Sequence, residues 1–140
     1  PSVGECYRRI STVLPQQALA LTNSELVVKF GRHLATQIST ELNERDSVMD
    51  ESAKSQSSSN ERFVREVFWR VLSREPSPAE LELSLEFLSS QTERFSALTN
   101  AELVGTPVAG IPPAATDPVL RARENLTCSL FSHNDFLTIR

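Results

Sequence analysis

A chain of 140 residues, 39% hydrophobic and 23% charged, carries enough apolar material for one core, and a compact fold of that length buries roughly two-thirds of its unfolded surface. Its 14 basic residues stand against 18 acidic ones, a net charge of −4 with both signs interspersed, which argues against the basic stripe of a nucleic-acid surface. No stretch reaches the roughly 18 to 20 apolar residues of a membrane span, and the start carries no apolar signal region. Because the first residue is Pro1 rather than methionine, we expect a piece of a longer protein, with any targeting signal upstream.

Residues 1–14 lack a convincing period and are expected to form an N-terminal arm, leaving 15–140 as one helical domain. Pro15 suits the first position of a short helical turn over Pro15–Leu21. A hydroxyl residue followed three positions later by glutamate then occurs at Thr22, Ser58, Ser77 and Thr99, with Glu25, Glu61, Glu80 and Glu102 as partners. This is the spacing of the capping box, in which the hydroxyl accepts from the third helical amide while the glutamate reaches back to the cap amide. After the first box, Leu26, Phe30, Leu34, Ile38 and Leu42 recur every four residues and predict the apolar face of a long helix. Val27, Gly31 and Ala35 flank that stripe, and such small residues let a neighbouring helix come close.

Asp46–Ser59 is acidic and then serine-rich, longer than the usual helix–helix loop, so it reads as a connection with poor order around Ala53–Ser57. A second helix is predicted over Glu61–Ser73, burying Phe63, Val64, Val67, Phe68, Val71 and Leu72. Glu61 with Arg65 and Glu66 with Arg70 stand four apart in the favourable order on its solvated face. Arg74-Glu75-Pro76 stops this helix, because the residue before proline leaves the helical region and proline has no amide to donate. Ser77, Pro78 and Glu80 start the third, which runs to about Phe95 and buries Leu81, Leu85 and Leu88 with Phe87 at its edge. So short a join makes the two helices an antiparallel hairpin.

Thr99 opens a short turn that Gly105 ends, and Gly105–Thr116, rich in proline, glycine and alanine, reads as a second surface connection. Asp117-Pro118 then caps a last helix with Val119, Ala122, Leu126, Leu130 and Phe131 on its apolar side. Ser132-His133-Asn134-Asp135 is a turn sequence, and Phe136, Leu137 and Ile139 form an apolar tail that would fold back on the core. The fold class expected is all-α: a compact bundle of about four main helices with two long irregular connections, the 61–95 hairpin at its centre.

Chemistry is far less legible. His33 and His133 have no second histidine at a ligand spacing, and Cys6 and Cys128 make neither a metal framework nor a Cys-x-x-Cys-His haem site; whether they pair is open. The acidic group Glu41, Glu44, Asp46, Asp50 and Glu51 lacks the glycine and spacing of a calcium loop. There is no Gly-x-Ser-x-Gly and no glycine-rich phosphate cradle. Catalytic residues, metal ligands and cofactors are therefore all assigned as none. Trp69 is the residue out of register: at about 100° per residue it points roughly 150° from the centre of its helix's apolar stripe, among Arg62, Arg65 and Glu66. Two readings stand: the N-terminal arm or the proline-rich connection covers Trp69, or, since tryptophan and arginine are enriched at interface hot spots, Trp69, Arg62 and Arg65 form the candidate interface for a further domain.

Three phrases, Leu14-Pro15-Gln16-Gln17-Ala18-Leu19-Ala20-Leu21-Thr22-Asn23-Ser24, Phe68-Trp69-Arg70-Val71-Leu72-Ser73-Arg74-Glu75-Pro76-Ser77 and Leu130-Phe131-Ser132-His133-Asn134-Asp135-Phe136-Leu137, resemble the C-terminal part of the planctomycete PSD-one family, the domain-of-unknown-function family fifteen fifty-three. The last phrase departs from the family's Asn-Ser-Asn-Glu-Phe pattern at Ser132-His133-Asn134-Asp135-Phe136. The resemblance implies the tail of a large multidomain protein, exported or periplasm-like, accompanied by a cytochrome-c-like region and a second uncharacterised domain. It carries over no catalytic residue. The expected function is a non-catalytic interaction or scaffolding module whose partners are other domains of its parent chain. The alternatives are an accessory domain of a redox or carbohydrate-directed enzyme, and self-association.

Overall fold

The computed structural model describes residues 24–48, 56–98, 102 and 109–133. Among them the chain folds as four main helices and no strand: α1 Glu25–Val48, α2 Gln56–Leu72, α3 Pro78–Ser96 and α4 Pro118–Phe131. The arm, the Pro15–Leu21 turn, Thr22, Ala53 to Ser55, the cap residue Thr99, Gly105, the apolar tail, Asp135 and Cys6 lie outside the described residues.

Local capping follows the sequence closely at α3. Ser77 accepts from the amide of Glu80, and Glu80 Oε2 accepts from the Ser77 amide at 2.7 Å, with Pro78 filling the first helical position. Asp117 likewise caps α4 by accepting from the Leu120 amide at 2.8 Å. At α1 the hydroxyl that caps is Ser24, accepting from the Leu26 amide at 3.2 Å. The Ser58 box is not a helix start, because α2 already begins at Gln56 and places Ser58 inside the helix. With α1 running on to Val48, the first connection is shorter than the sequence suggests, and the backbone of Gln56 and Ser57 is helical. Between α2 and α3, Ser73 adopts a left-handed φ of 55° and its amide donates to the Trp69 carbonyl at 3.0 Å, closing the end of α2.

Glu80 also receives two hydrogen bonds from Arg74, at 2.9 and 2.7 Å, and these lower its pKa to about 2. A depressed carboxylate stabilises the fold above its ordinary titration range and loses that contribution as pH falls through the folded value. Stability should therefore drop between about pH 4.5 and pH 2 by roughly 1–2 kcal/mol from this group, after discounting for its partial exposure. Urea melts of the protein and of Glu80→Gln across that range measure it. A variant whose acid limb is as steep as that of the parent removes Glu80 as its source.

The core is built from Ala35, Ile38 and Leu42 of α1, Phe63, Val64, Val67, Phe68 and Val71 of α2, Leu88 of α3, and Ala122, Leu126 and Leu130 of α4. Leu34, Leu72, Leu81, Leu85, Phe87 and Phe131 pack against it, half-buried. The α1 stripe needs correction at its N-terminal half, where Leu26 and Phe30 are 60% and 52% exposed while Val27, Gly31 and Ala35 are buried. A strict spacing of four drifts about 40° per step, so the line from Leu26 to Leu42 turns nearly half way round the helix. The series Val27, Gly31, Ala35, Ile38, Leu42 includes one step of three and drifts only about 60° in all, so it can follow one neighbour.

That neighbour is α4. The last helix packs most extensively on α1 and on α3 and also touches α2, so it occupies the centre that the sequence assigned to the α2–α3 hairpin. The hairpin itself forms, and α2 also packs on α1. A central helix is covered on more than one side, and α4 accordingly buries Arg123, Glu124 and Thr127 together with its apolar stripe.

Candidate functional site

Trp69 is 61% exposed and stands in a shallow groove of about 290 Å³ lined by Leu42, Arg45, Arg62, Arg65, Glu66, Trp69 and Glu75. The periodicity of α2 explains the arrangement. Arg62, Arg65, Glu66 and Trp69 lie three or four residues apart, on the side of the helix away from Phe63, Val64, Val67 and Phe68. The last turns of α1 supply Leu42 and Arg45, and the α2–α3 turn supplies Glu75. The three residues singled out from the sequence thus share one groove, joined by others that sequence spacing alone does not connect.

Ion pairs fix its walls. Arg65 donates to Glu61 at 2.9 Å and approaches Glu75 at 3.7 Å. Glu66 accepts from Arg70 at 2.8 Å, and Arg70 also reaches across to Glu41 of α1. The hydrogen bonds from Arg70 and then Gln37 hold the Glu41 pKa below its ordinary value. Arg70 is thereby a clasp between α1 and α2 directly behind the groove. Neither histidine contributes: His33 lies exposed on α1 and His133 follows α4, both outside the lining. Among the described residues no group of histidine, cysteine, aspartate and glutamate is placed to hold a metal ion. An aromatic face bordered by guanidinium and carboxylate groups is suited to binding, through apolar contact with directional polar contacts at the rim.

Two buried polar clusters escaped the sequence reading. Arg123, 5% exposed, donates to Ser39 at 3.1 Å, to Ser59 at 2.9 Å and to Asn60 at 2.9 and 3.2 Å, with its guanidinium carbon 4.8 Å from the Phe63 ring centroid. Burial lowers its pKa. The next residue, Glu124, accepts from the Ala115 amide at 3.2 Å and lies 3.6 Å from Arg121 and 4.0 Å from Arg32, whose Nη1 donates to the Pro112 carbonyl. Burial raises the Glu124 pKa against these contacts. The cluster pins the proline-rich connection to the seam between α1 and α4. Cys128, at the same seam, carries a free thiol that burial holds above its ordinary pKa. A polar residue within an apolar stripe gives no sequence signal of its burial until the neighbouring helices are known.

Residues 1–88 match the model of the PSD1 family, described as a protein of unknown function (DUF1553). The chain belongs to this family. No curated protein and no solved structure matches it. The PSD1 match contains every residue lining the Trp69 groove, whereas Arg123, Glu124 and the whole of α4 lie beyond it. No helix of the described residues is long and apolar enough to cross a membrane.

Proposed function

We propose that this PSD1 chain is a non-catalytic interaction or scaffolding module of a larger, exported multidomain protein, and that it docks onto other domains of its parent through the groove around Trp69, Arg62 and Arg65. The observation that carries the reading is the 61% exposure of Trp69 between guanidinium groups on a helix whose opposite face is fully built into the core. A large aromatic side chain left in water forgoes roughly 1.5–3 kcal/mol of burial, which a partner surface recovers on docking. Family membership and the resemblance to the tail of multidomain proteins support the same reading.

Hydroxyl-radical footprinting of this chain alone and within its natural full-length protein tests it. Docking protects Trp69, so its oxidation is expected to slow by about fivefold in the longer protein, as for an aromatic anchor excluded from water. Equal oxidation in both contexts would count against docking onto the parent's domains.

A further inference from the structure

We infer that residues 134–140 dock onto the first two turns of α1, where Phe136, Leu137 and Ile139 cover the exposed pair Leu26 and Phe30. That pair is an open edge of the core. Leu26 and Phe30 stand four residues apart on one side of α1, 60% and 52% exposed, and the same line continues into Leu34, which packs on the core. Two large apolar side chains side by side in water are a surface that a fold gains by covering.

The direction of α4 brings the occupant to this place. Arg123 donates to Ser39 of α1, and further along α4 Cys128 stands against Gly31, its thiol 3.9 Å from the Val27 carbonyl oxygen. Moving toward the end of α4 is therefore moving toward the start of α1, so the two helices are antiparallel. His133, whose amide donates to the Leu130 carbonyl at 3.0 Å, lies about 7 Å beyond Cys128 along the axis, level with the first turn of α1. The chain thus passes into residue 134 at the level of Leu26. Ser132-His133-Asn134-Asp135 is a sequence suited to a reversal. The step from Leu26 to Phe30 is only about 6 Å along the helix, against a reach of roughly 23 Å for residues 134–140.

Composition favours this segment over the chain that enters α1. Thr22 and Asn23, which immediately precede the cap Ser24, are polar, so the hydrophobic staple has no apolar member at the position before the cap. Phe136 and Leu137, by contrast, follow the turn sequence directly.

Hydroxyl-radical footprinting of the 140-residue chain reads the contact at Phe30. Replacing Phe136→Ser together with Leu137→Ser, two changes outside the four helices, is expected to speed Phe30 oxidation about threefold and to leave that of Trp69 on α2 unchanged. Equal Phe30 oxidation in both proteins would overturn the inference. So would faster Phe30 oxidation on deleting residues 1–14 but not in the serine pair, which would assign the cover to the N-terminal arm, or protection that vanishes on dilution, which would assign it to a second copy. Melting temperatures give an independent reading: Phe30→Ser is expected to lower the midpoint by roughly 3 °C in the parent and by under about 1 °C in the serine-pair background. Equal lowering in the two backgrounds would also overturn it.

Discussion

Gly31→Leu is expected to destabilise the protein by about 3 kcal/mol, the upper part of the range for overpacking a tight contact, and to lower the melting temperature by roughly 10 °C. The reason is the close seam between α1 and α4. A Cβ placed at Gly31 would stand 2.5 Å from Cys128 Sγ and 3.4 Å from the Cys128 backbone nitrogen, so the added side chain has nowhere to go unless the helices separate. Those two helices share the most extensive contact in the bundle, and separating them opens the core at Ala35, Ile38, Ala122 and Leu126.

The clash is specific enough to be relieved. Cys128→Ala removes the sulfur and is expected to cost about 1 kcal/mol for the small void it leaves. Adding Gly31→Ala to that background fills the void and removes a helix glycine, so the double variant is expected to recover about 1 kcal/mol. The coupling in a double-mutant cycle of urea midpoints reads the contact itself. Independent, additive effects at the two positions would mean that the seam is looser than described.

Arg123→Ala carries the second large effect, an expected loss of about 3 kcal/mol measured by urea denaturation. Arg123 joins α4 to Ser39 of α1 and to Ser59 and Asn60 of α2, and its guanidinium lies over Phe63. Truncation removes that packing and leaves the two hydroxyls and the amide oxygen without this donor. Among the described residues its hydrogen-bond partners are neutral, so its burial is offset by those acceptors, the ring face and a coulombic attraction to Asp117. Arg123→Met keeps much of the length without the charge and is expected to cost clearly less than alanine, because it also removes the desolvation penalty. A loss under about 1 kcal/mol for alanine would show that the network contributes little to stability.

Both predictions concern α4, and α4 is where sequence and structure differ most. The helix itself was legible from Asp117-Pro118 and the spacing of Ala122, Leu126 and Leu130, because a cap and a period are local properties. Its central position was not. Nothing in a single stripe says that a helix will be covered from several sides, and the buried Arg123, Glu124 and Thr127 read in isolation as ordinary solvated residues. The candidate groove shows the same division. Trp69, Arg62 and Arg65 lie on one helix and could be grouped by angle alone, whereas Leu42, Arg45 and Glu75 join them only because α1 and the α2–α3 turn are brought alongside.

The sequence by itself determined the all-α class, the hairpin stop at Arg74-Glu75-Pro76, the caps at Ser77 and Asp117 and nearly all of the α2 core face, since each depends on residues within one or two turns. The tertiary structure alone decided which side of α1 faces its neighbour, that the last helix lies at the centre, and which polar groups are buried there. Periodicity fixes the angle between residues of one helix to within a few tens of degrees, but the choice between adjacent faces rests on close contacts such as Gly31 against Cys128, made between residues far apart in the chain.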